Sequence, residues 1–185
     1  MKAKFNAYEE QFDLSFLKEI CEEHGERITF RRGEFFAHSN CRCRRIGWIV
    51  SGAFKHTLTD RKGNVKTVGF AFSNSVVGNY LGAVAGQKLP TDIVALKDSE
   101  VQVAQASPLI ERLEADPALH VRFVQALFAQ CYDTLLSVYA LTPEERYREL
   151  VARAPELLSH VTLAELSSYL NISLRQLHRF RNFRR

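Results

Sequence analysis

The 185-residue sequence has no apolar run long enough to cross a bilayer, which excludes a membrane-spanning helix. A signal peptide is not expected either. Met1 to Glu10 carry basic residues with no apolar core behind them, so the chain reads as cytoplasmic. Cysteine is scarce, with four residues at Cys21, Cys41, Cys43 and Cys131. The Cys41/Cys43 spacing is not that of a zinc knuckle, no second pair answers it, and a disulfide scaffold does not suit a cytoplasmic chain of this size. Four free thiols, mostly buried, are expected, with a redox role for Cys41 and Cys43 as the competing reading. A Gly-x-Ser-x-Gly nucleophile motif is missing too. No catalytic residue, metal ligand or cofactor is assigned. Excess charge is small, +4 formally, and its placement says more than its sum. From Asn171 onward there are five arginines (Arg175, Arg179, Arg181, Arg184, Arg185) and no Asp or Glu. Such a patch suits a surface that faces phosphates, or is a solvated basic tail.

What is present divides the chain by periodicity. Phe12, Phe16, Leu17 and Ile20 recur at helical spacing, predicting a helix from Phe5 to His24 that Gly25 ends. From Glu26 to about Gln105 the period shortens. Ile28 and Phe30 alternate with polar residues, Trp48-Ile49-Val50 stops at Ser51-Gly52, and Phe54, His56 and Leu58 alternate toward one face. Asp60 to Asn64 reads as a turn, after which Val65 to Phe72, Ile93 to Leu96 and Val101 to Val103 resume the strand pattern. Many short strands separated by turn signals indicate an antiparallel barrel or jelly roll. Ser107-Pro108 then opens a helix with Ser107 as its expected cap, and Asp116-Pro117 breaks it.

The longest helical pattern runs from there to about Leu141. Val121, Val124, Phe128, Cys131, Leu135 and Val138 are spaced as a coiled-coil seam, and Leu119, Phe123 and Leu127 form a second apolar strip beside it. One strip can pack on the β region while the other meets a second copy of the chain. The alternative is a single core helix with one wide apolar face.

Thr142-Pro143-Glu144-Glu145 opens a final helical segment with a capping box, and Thr162 with Glu165 repeats the device. The stretch from Thr162 to Phe180 has helix-turn-helix grammar. Leu163, Leu166, Leu170, Ile172 and Leu177 supply its core, and Ser167 is small where the helices cross. Asn171 sits where a left-handed turn residue is needed. Ser173 caps the second helix, whose outward residues are Leu174, Arg175, His178, Arg179 and Arg181, with Gln176 on the flank. Arginine can read guanine and glutamine adenine in the major groove, so Arg175, Gln176, His178 and Arg179 are base-reading candidates. Ser173 and Arg181 are phosphate-contact candidates, and the competing reading is a helical hairpin with its arginines in water.

Several segments, in order over nearly the full chain, resemble the Crp/Fnr superfamily in its compact Bacteroidetes form. They are Phe30 to Glu34, Trp48 to Gly52, Asp60 to Asn64, Val68 to Phe72, Ala95 to Val101, Glu144 to Tyr147, Pro155 to Leu158 and Ser168 to Ser173. The resemblance implies an α+β chain in three parts. Residues 1–117 would form a cyclic-nucleotide-binding-like sensor, an antiparallel β-roll of the double-stranded β-helix or jelly-roll type. Residues 118–141 would form a dimerisation helix, and 142–185 a small all-α helix-turn-helix DNA-binding domain with its wing absent or truncated. It further implies a homodimer on a palindromic double-stranded DNA operator, RNA polymerase as a partner, and an unknown small-molecule effector. The candidate effector pocket comprises Gly78, Asn79, Tyr80, Pro90, Thr91 and Asp92.

Two departures narrow those implications. Asn79 stands where cyclic-nucleotide binders carry a ribose-binding glutamate, and Pro90-Thr91-Asp92 replaces their Arg-Ser/Thr-Ala phosphate cassette. A cyclic phosphate would meet Asp92 and no arginine, so cAMP and cGMP are not expected to bind. The cysteines do not reproduce the clustered iron–sulfur pattern of the family's oxygen sensors. Haem ligation by His38 and His56 is a remaining alternative. So is a regulator that has lost DNA binding and works through protein contacts, favoured by the degenerate pocket, the absent wing and Leu174, which stands where relatives often carry a polar reader. A metal-binding cupin enzyme would need a cluster of histidines in the β region, which holds only His38 and His56, far apart.

Overall fold

The computed structural model describes residues 5–155 and 157–182. Residues 1–4, Glu156, Phe183, Arg184 and Arg185 lie outside the described residues, and with them two of the five C-terminal arginines. Two helices open the chain, α1 (Tyr8–Gln11) and α2 (Ser15–His24), where one was expected. Asp13 divides them: one carboxylate oxygen accepts from the Ser15 N–H and the other from its hydroxyl, both at 2.9 Å. A side chain that offers the backbone such a partner competes with continued helix.

The strands follow: β1 (Gly25–Phe30), β2 (Phe35–Ala37), β3 (Arg45–Ser51), β4 (Ala53–Thr59), β5 (Val65–Phe72) and β6 (Val76–Val77). A short helix α3 (Tyr80–Ala83) precedes β7 (Asp92–Ala95) and β8 (Ser99–Gln105). They pair antiparallel in two sheets, β1-β8-β3-β6 and β2-β7-β4-β5, giving the expected β-roll. The β4–β5 turn is held by Asp60, whose side chain accepts from the N–H groups of Lys62 and Asn64. At the β3–β4 corner Gly52 has φ +109° and a Cβ there would collide with Ser99, so only glycine fits.

Period-two alternation sorts the side chains into three cores. Phe30, Ile49, Val77 and Val101 from one sheet interdigitate with Phe36, Phe54, Ala71 and Ile93 from the other to fill the roll. Ile46, Trp48 and Ala104 point out of the first sheet and are covered by helices. Ala53, Phe70 and Leu96 point out of the second and are covered by the C-terminal helices. One expected alternation fails. The β4–β5 register shifts between His56 and Thr57, so Thr57 is buried and Leu58 is exposed. A bulge of this kind moves every later side chain to the other face.

After the roll come α4 (Ser107–Ala115), α5 (Pro117–Ala140), α6 (Pro143–Arg153), α7 (Leu157–His160), α8 (Leu163–Tyr169) and α9 (Leu174–Asn182). Ser107 lies inside α4 and makes no cap, contrary to expectation, because the helix already starts after Ala106. Asp116 caps α5, accepting from the Leu119 N–H at 2.9 Å, with Pro117 in the first turn. The inner strip of α5 does what its spacing predicts: Leu119 and Phe123 are buried against the roll and Leu127 packs beside them. The outer stripe is bare, with Phe128 66% and Leu135 53% exposed. From Cys131 to Ala140 every residue except Ser137 is exposed, so this part of α5 is uncovered on all sides. Among the described residues no helix is long and apolar enough to cross a membrane.

The C-terminal helices do not hang free from α5. α8 lies along β5, an edge strand, where the Thr67 N–H donates to the Ser168 hydroxyl at 2.9 Å. Lys55 donates to Glu165 at 2.8 Å, and the rings of Phe5, Phe70, Phe72 and Tyr169 pack at 5.4–6.0 Å between centroids. An edge strand covered in this way is closed to pairing with another chain.

Candidate functional site

The helix-turn-helix is assembled by local rules. Thr162 and Glu165 form a reciprocal capping box at the start of α8, as Thr142 and Glu145 do for α6. Burial alone would raise the pKa of Glu165, but hydrogen bonds from Lys55 and Thr162 outweigh it and keep the carboxylate ionised. Asn171 adopts φ 53° in the turn, the left-handed conformation expected of it. Ser167 is buried at the crossing, its hydroxyl turned back to the Ala164 carbonyl. Leu166, Leu170, Leu177 and Phe180 pack with Tyr147, Val151 and Leu157 beneath the two helices. Arg146 ties this unit to α5, donating to the Leu141 carbonyl at 2.9 Å and the Leu170 carbonyl at 3.4 Å.

On this base Ser173, just before α9, and Arg175, Gln176, His178, Arg179 and Asn182 of α9 line one open cleft of about 760 Å³. All are exposed, as are Leu174 and Arg181. Asn182 is not among the residues the sequence points to, although it follows Arg175 by two helical turns and so shares its face. Two candidates are already engaged. The Ser173 hydroxyl accepts from the Gln176 N–H at 3.2 Å, while the Gln176 side-chain oxygen accepts from Ser173 N–H at 2.9 Å and its hydroxyl at 3.0 Å. A bidentate contact to adenine needs both ends of the amide, so Gln176 would have to leave this cap to read a base. Arg175, His178 and Arg179 carry no such constraint, and no Asp or Glu occurs between Asn171 and Asn182.

The residues matched to an effector pocket separate into two places. Gly78, Asn79 and Tyr80 border a small apolar cavity of about 90 Å³ between the roll, α2, α4 and α5. Asn79 itself caps α3, accepting from Leu81 and Gly82. The Tyr80 hydroxyl meets His120 Nε2 on α5 at 2.7 Å, joining this corner of the roll to the long helix. Pro90, Thr91 and Asp92 lie outside that cavity. Asp92 accepts from the Ser39 N–H at 2.7 Å, and the Thr91 hydroxyl is 3.5 Å from His56 Nδ1.

Burial pushes His56 from the ordinary histidine value down to about 4. The unfolded imidazole titrates near 6.5, so at neutral pH both states are uncharged. As pH falls from 6.5 toward 4, only the unfolded chain takes up the proton, and stability drops by on the order of 2–3 kcal/mol. The measurement is thermal unfolding of the chain and of His56→Gln between pH 7 and 4.5. The variant is expected to lose stability less steeply, and identical slopes would show the ring to be solvated.

The thiols are free as expected, but only Cys21 is buried; Cys43 is half-buried, and Cys41 and Cys131 are exposed, which corrects the expectation of mostly buried thiols. Cys41 lies in a loop and Cys131 on the outer stripe of α5, so neither is inside a core. Among the described residues no group of three or more His, Cys, Asp or Glu is placed to hold a metal ion.

No known protein-family profile matches the chain. Among curated proteins it is similar to the transcriptional regulatory protein btr of Bordetella pertussis, 25% identical over 169 residues, or 83% of this chain and 69% of that one. Among solved structures it is similar to FixK2 of Bradyrhizobium japonicum, with TM-score 0.73 and 15% identity over 85% of this chain and 83% of that one. The c-di-GMP responsive global regulator CLP of Xanthomonas campestris superposes with TM-score 0.66 and 15% identity over 91% of this chain and 89% of that one. The resemblance read from the β-roll and helix-turn-helix segments is thus the one its structural neighbours share, and the chain has the fold of the Crp/Fnr regulators.

Proposed function

We propose that the chain is a transcription regulator of the Crp/Fnr type that works in the cytoplasm as a homodimer on palindromic double-stranded DNA. Its functional parts are a sensor over 1–117, a dimerisation helix over 118–141 and a DNA-binding unit over 142–185. The exposed face of α9 carries the reading: Arg175, His178 and Arg179 project from a capped helix that begins at a helix-turn-helix corner, with no carboxylate among its described residues. That is the chemistry of a recognition helix in a major groove. The outer stripe of α5 supports the dimer, since an apolar helix left bare in one copy is covered by the same helix of a second. An effector bound near Gly78, Asn79 and Tyr80 would reach α5 through the Tyr80–His120 contact. RNA polymerase is the further partner that an activator of this type would contact.

The deciding experiment is selection of binding sites from random duplex DNA by the purified chain. Enrichment of a palindrome supports the reading. No enrichment at low or high salt favours a regulator acting through protein contacts, a reading to which exposed Leu174 and the engaged Gln176 lend weight.

The effector is not a cyclic nucleotide on this reading. Asp92 is the charged group at the position of the phosphate cassette, and the roll interior is filled by Phe30, Phe36 and Phe54. Isothermal calorimetry is expected to show no cAMP binding at micromolar concentration. Saturable micromolar binding would overturn this.

A further inference from the structure

A third concave site lies apart from the α9 cleft and from the cavity beside Tyr80. The loop between β2 and β3, with the end of β8, borders an open pocket of about 290 Å³ whose wall includes Cys41, Arg42, Cys43, Arg44 and Arg45. Phe35 and His38 stack at 4.1 Å on another side of it. Lys88 lies across a strand-like bridge from Arg42. Among the described residues, none of Arg42, Arg44, Arg45 and Lys88 has an ion-pair partner. The carboxylate nearest this loop is Asp92, already held by the Ser39 N–H and 4.0 Å from His38 Nδ1.

The arginines are not equivalent. Arg45 donates to the Phe36 carbonyl and its guanidinium lies 4.7 Å over the Phe36 ring, so it forms part of the wall. Arg42 and Arg44 are exposed. Arg44 lies against Gly86, where a Cβ would come within 2.8 Å of its Nη2; the glycine makes room for the guanidinium. Each exposed guanidinium keeps a fork of N–H donors whose geometry matches a carboxylate or phosphate. Unpaired cations in a concavity focus the field and concentrate anions.

Position separates this pocket from the DNA face and from the dimer helix. β2 and β5 are opposite edges of one sheet; the pocket is built on β2, whereas α8 covers β5. No residue of α5 or α9 lines it. Its volume suits a small molecule rather than a polymer.

We propose that this pocket binds a small organic oxyanion bearing phosphate or carboxylate groups, with Arg42 and Arg44 as its ligands and the stacked Phe35–His38 rings as its aromatic wall. The inference rests on the pocket alone and does not depend on DNA binding.

Cys41, exposed within the pocket, is the reporter. Its alkylation by anionic iodoacetate and by neutral iodoacetamide is followed by peptide mass spectrometry, with N-acetylcysteine as the reference thiol. The iodoacetate-to-iodoacetamide rate ratio is expected to exceed that of N-acetylcysteine by about tenfold. It should fall to the reference value in Arg42→Gln/Arg44→Gln, two exposed positions whose variant is checked for an unchanged melting temperature. Millimolar pyrophosphate or citrate should protect Cys41 of the unmodified chain from iodoacetamide, and whichever protects better separates phosphate from carboxylate ligands. A ratio equal to the reference with no protection by either anion overturns the proposal. So does protection by duplex DNA alone, which would make the loop part of a nucleic-acid surface.

Discussion

Replacing Arg175 and Arg179 together with alanine is expected to weaken binding to the selected palindrome by at least about 10³-fold at constant salt. A base-reading arginine contributes about 1–3 kcal/mol, two are removed per half-site, and a dimer has two half-sites. The summed effect reaches or exceeds the 4 kcal/mol or so that corresponds to 10³-fold, and it is cut off where specific binding meets the non-specific background. Both side chains are exposed, and the core beneath α9 rests on Leu177 and Phe180, so the variant should melt within about 1 kcal/mol of the parent. The salt dependence tells base reading from phosphate binding. If the arginines read bases, the variant keeps most of the log–log salt slope and no longer discriminates between palindrome and random DNA. If they only touch phosphates, affinity falls equally on both DNAs and the slope shrinks by about one for each phosphate that is no longer neutralised. Unchanged affinity for the palindrome would show that the outward face of α9 is not the reader, and the engaged Gln176 would then mark a helix shaped for another purpose.

The second large effect concerns α5. Phe128→Asp with Leu135→Asp is expected to convert a dimer to a monomer at micromolar concentration, measured by analytical ultracentrifugation. Burying each parent side chain would contribute roughly 1.5–3 kcal/mol per copy, and each aspartate would instead have to be dehydrated. Two positions in two copies move the dissociation constant by more than about 10⁴-fold. Both residues are exposed and neither belongs to the core that joins α5 to the roll, which includes Leu119, Phe123 and Leu127, so the monomer should stay folded. Cys131 gives an independent reading. It is exposed and sits in the middle of the stripe, and in a two-fold parallel seam it faces its own counterpart. Mild oxidation should therefore yield a covalent dimer that Cys131→Ser abolishes. A parent chain that sediments as a monomer at tens of micromolar, with no cross-link, would refute the dimer and leave the stripe for a different partner.

Features with a short-range cause were legible in advance. The capping boxes at Thr142/Glu145 and Thr162/Glu165, the left-handed Asn171, the Asp60 turn and the two strips of α5 each depend on residues within a turn or two of one another. A pattern of that span is written in a continuous stretch of sequence, and the structure contains all of them. Ser107 failed as a cap and Asp13 split a helix because, at that range, several side chains compete for the same backbone groups and the winner is set by small energies.

What tertiary structure alone decided involves partners far apart in the chain. The bulge after His56 exposes Leu58, and no local residue announces it, because register is fixed across the β4–β5 pair. The docking of α8 on β5 joins Lys55 to Glu165 and Thr67 to Ser168 over more than a hundred residues. The exposure of Cys41, and the room that Gly86 leaves for Arg44, likewise arise from loops brought together by the roll. The sequence by itself determined the kinds of element, their order and the charged face of the last helix. Which faces are covered, which thiols meet solvent and which cations stand unpaired were settled by long-range packing, because burial is a property of the assembled surface and not of any segment.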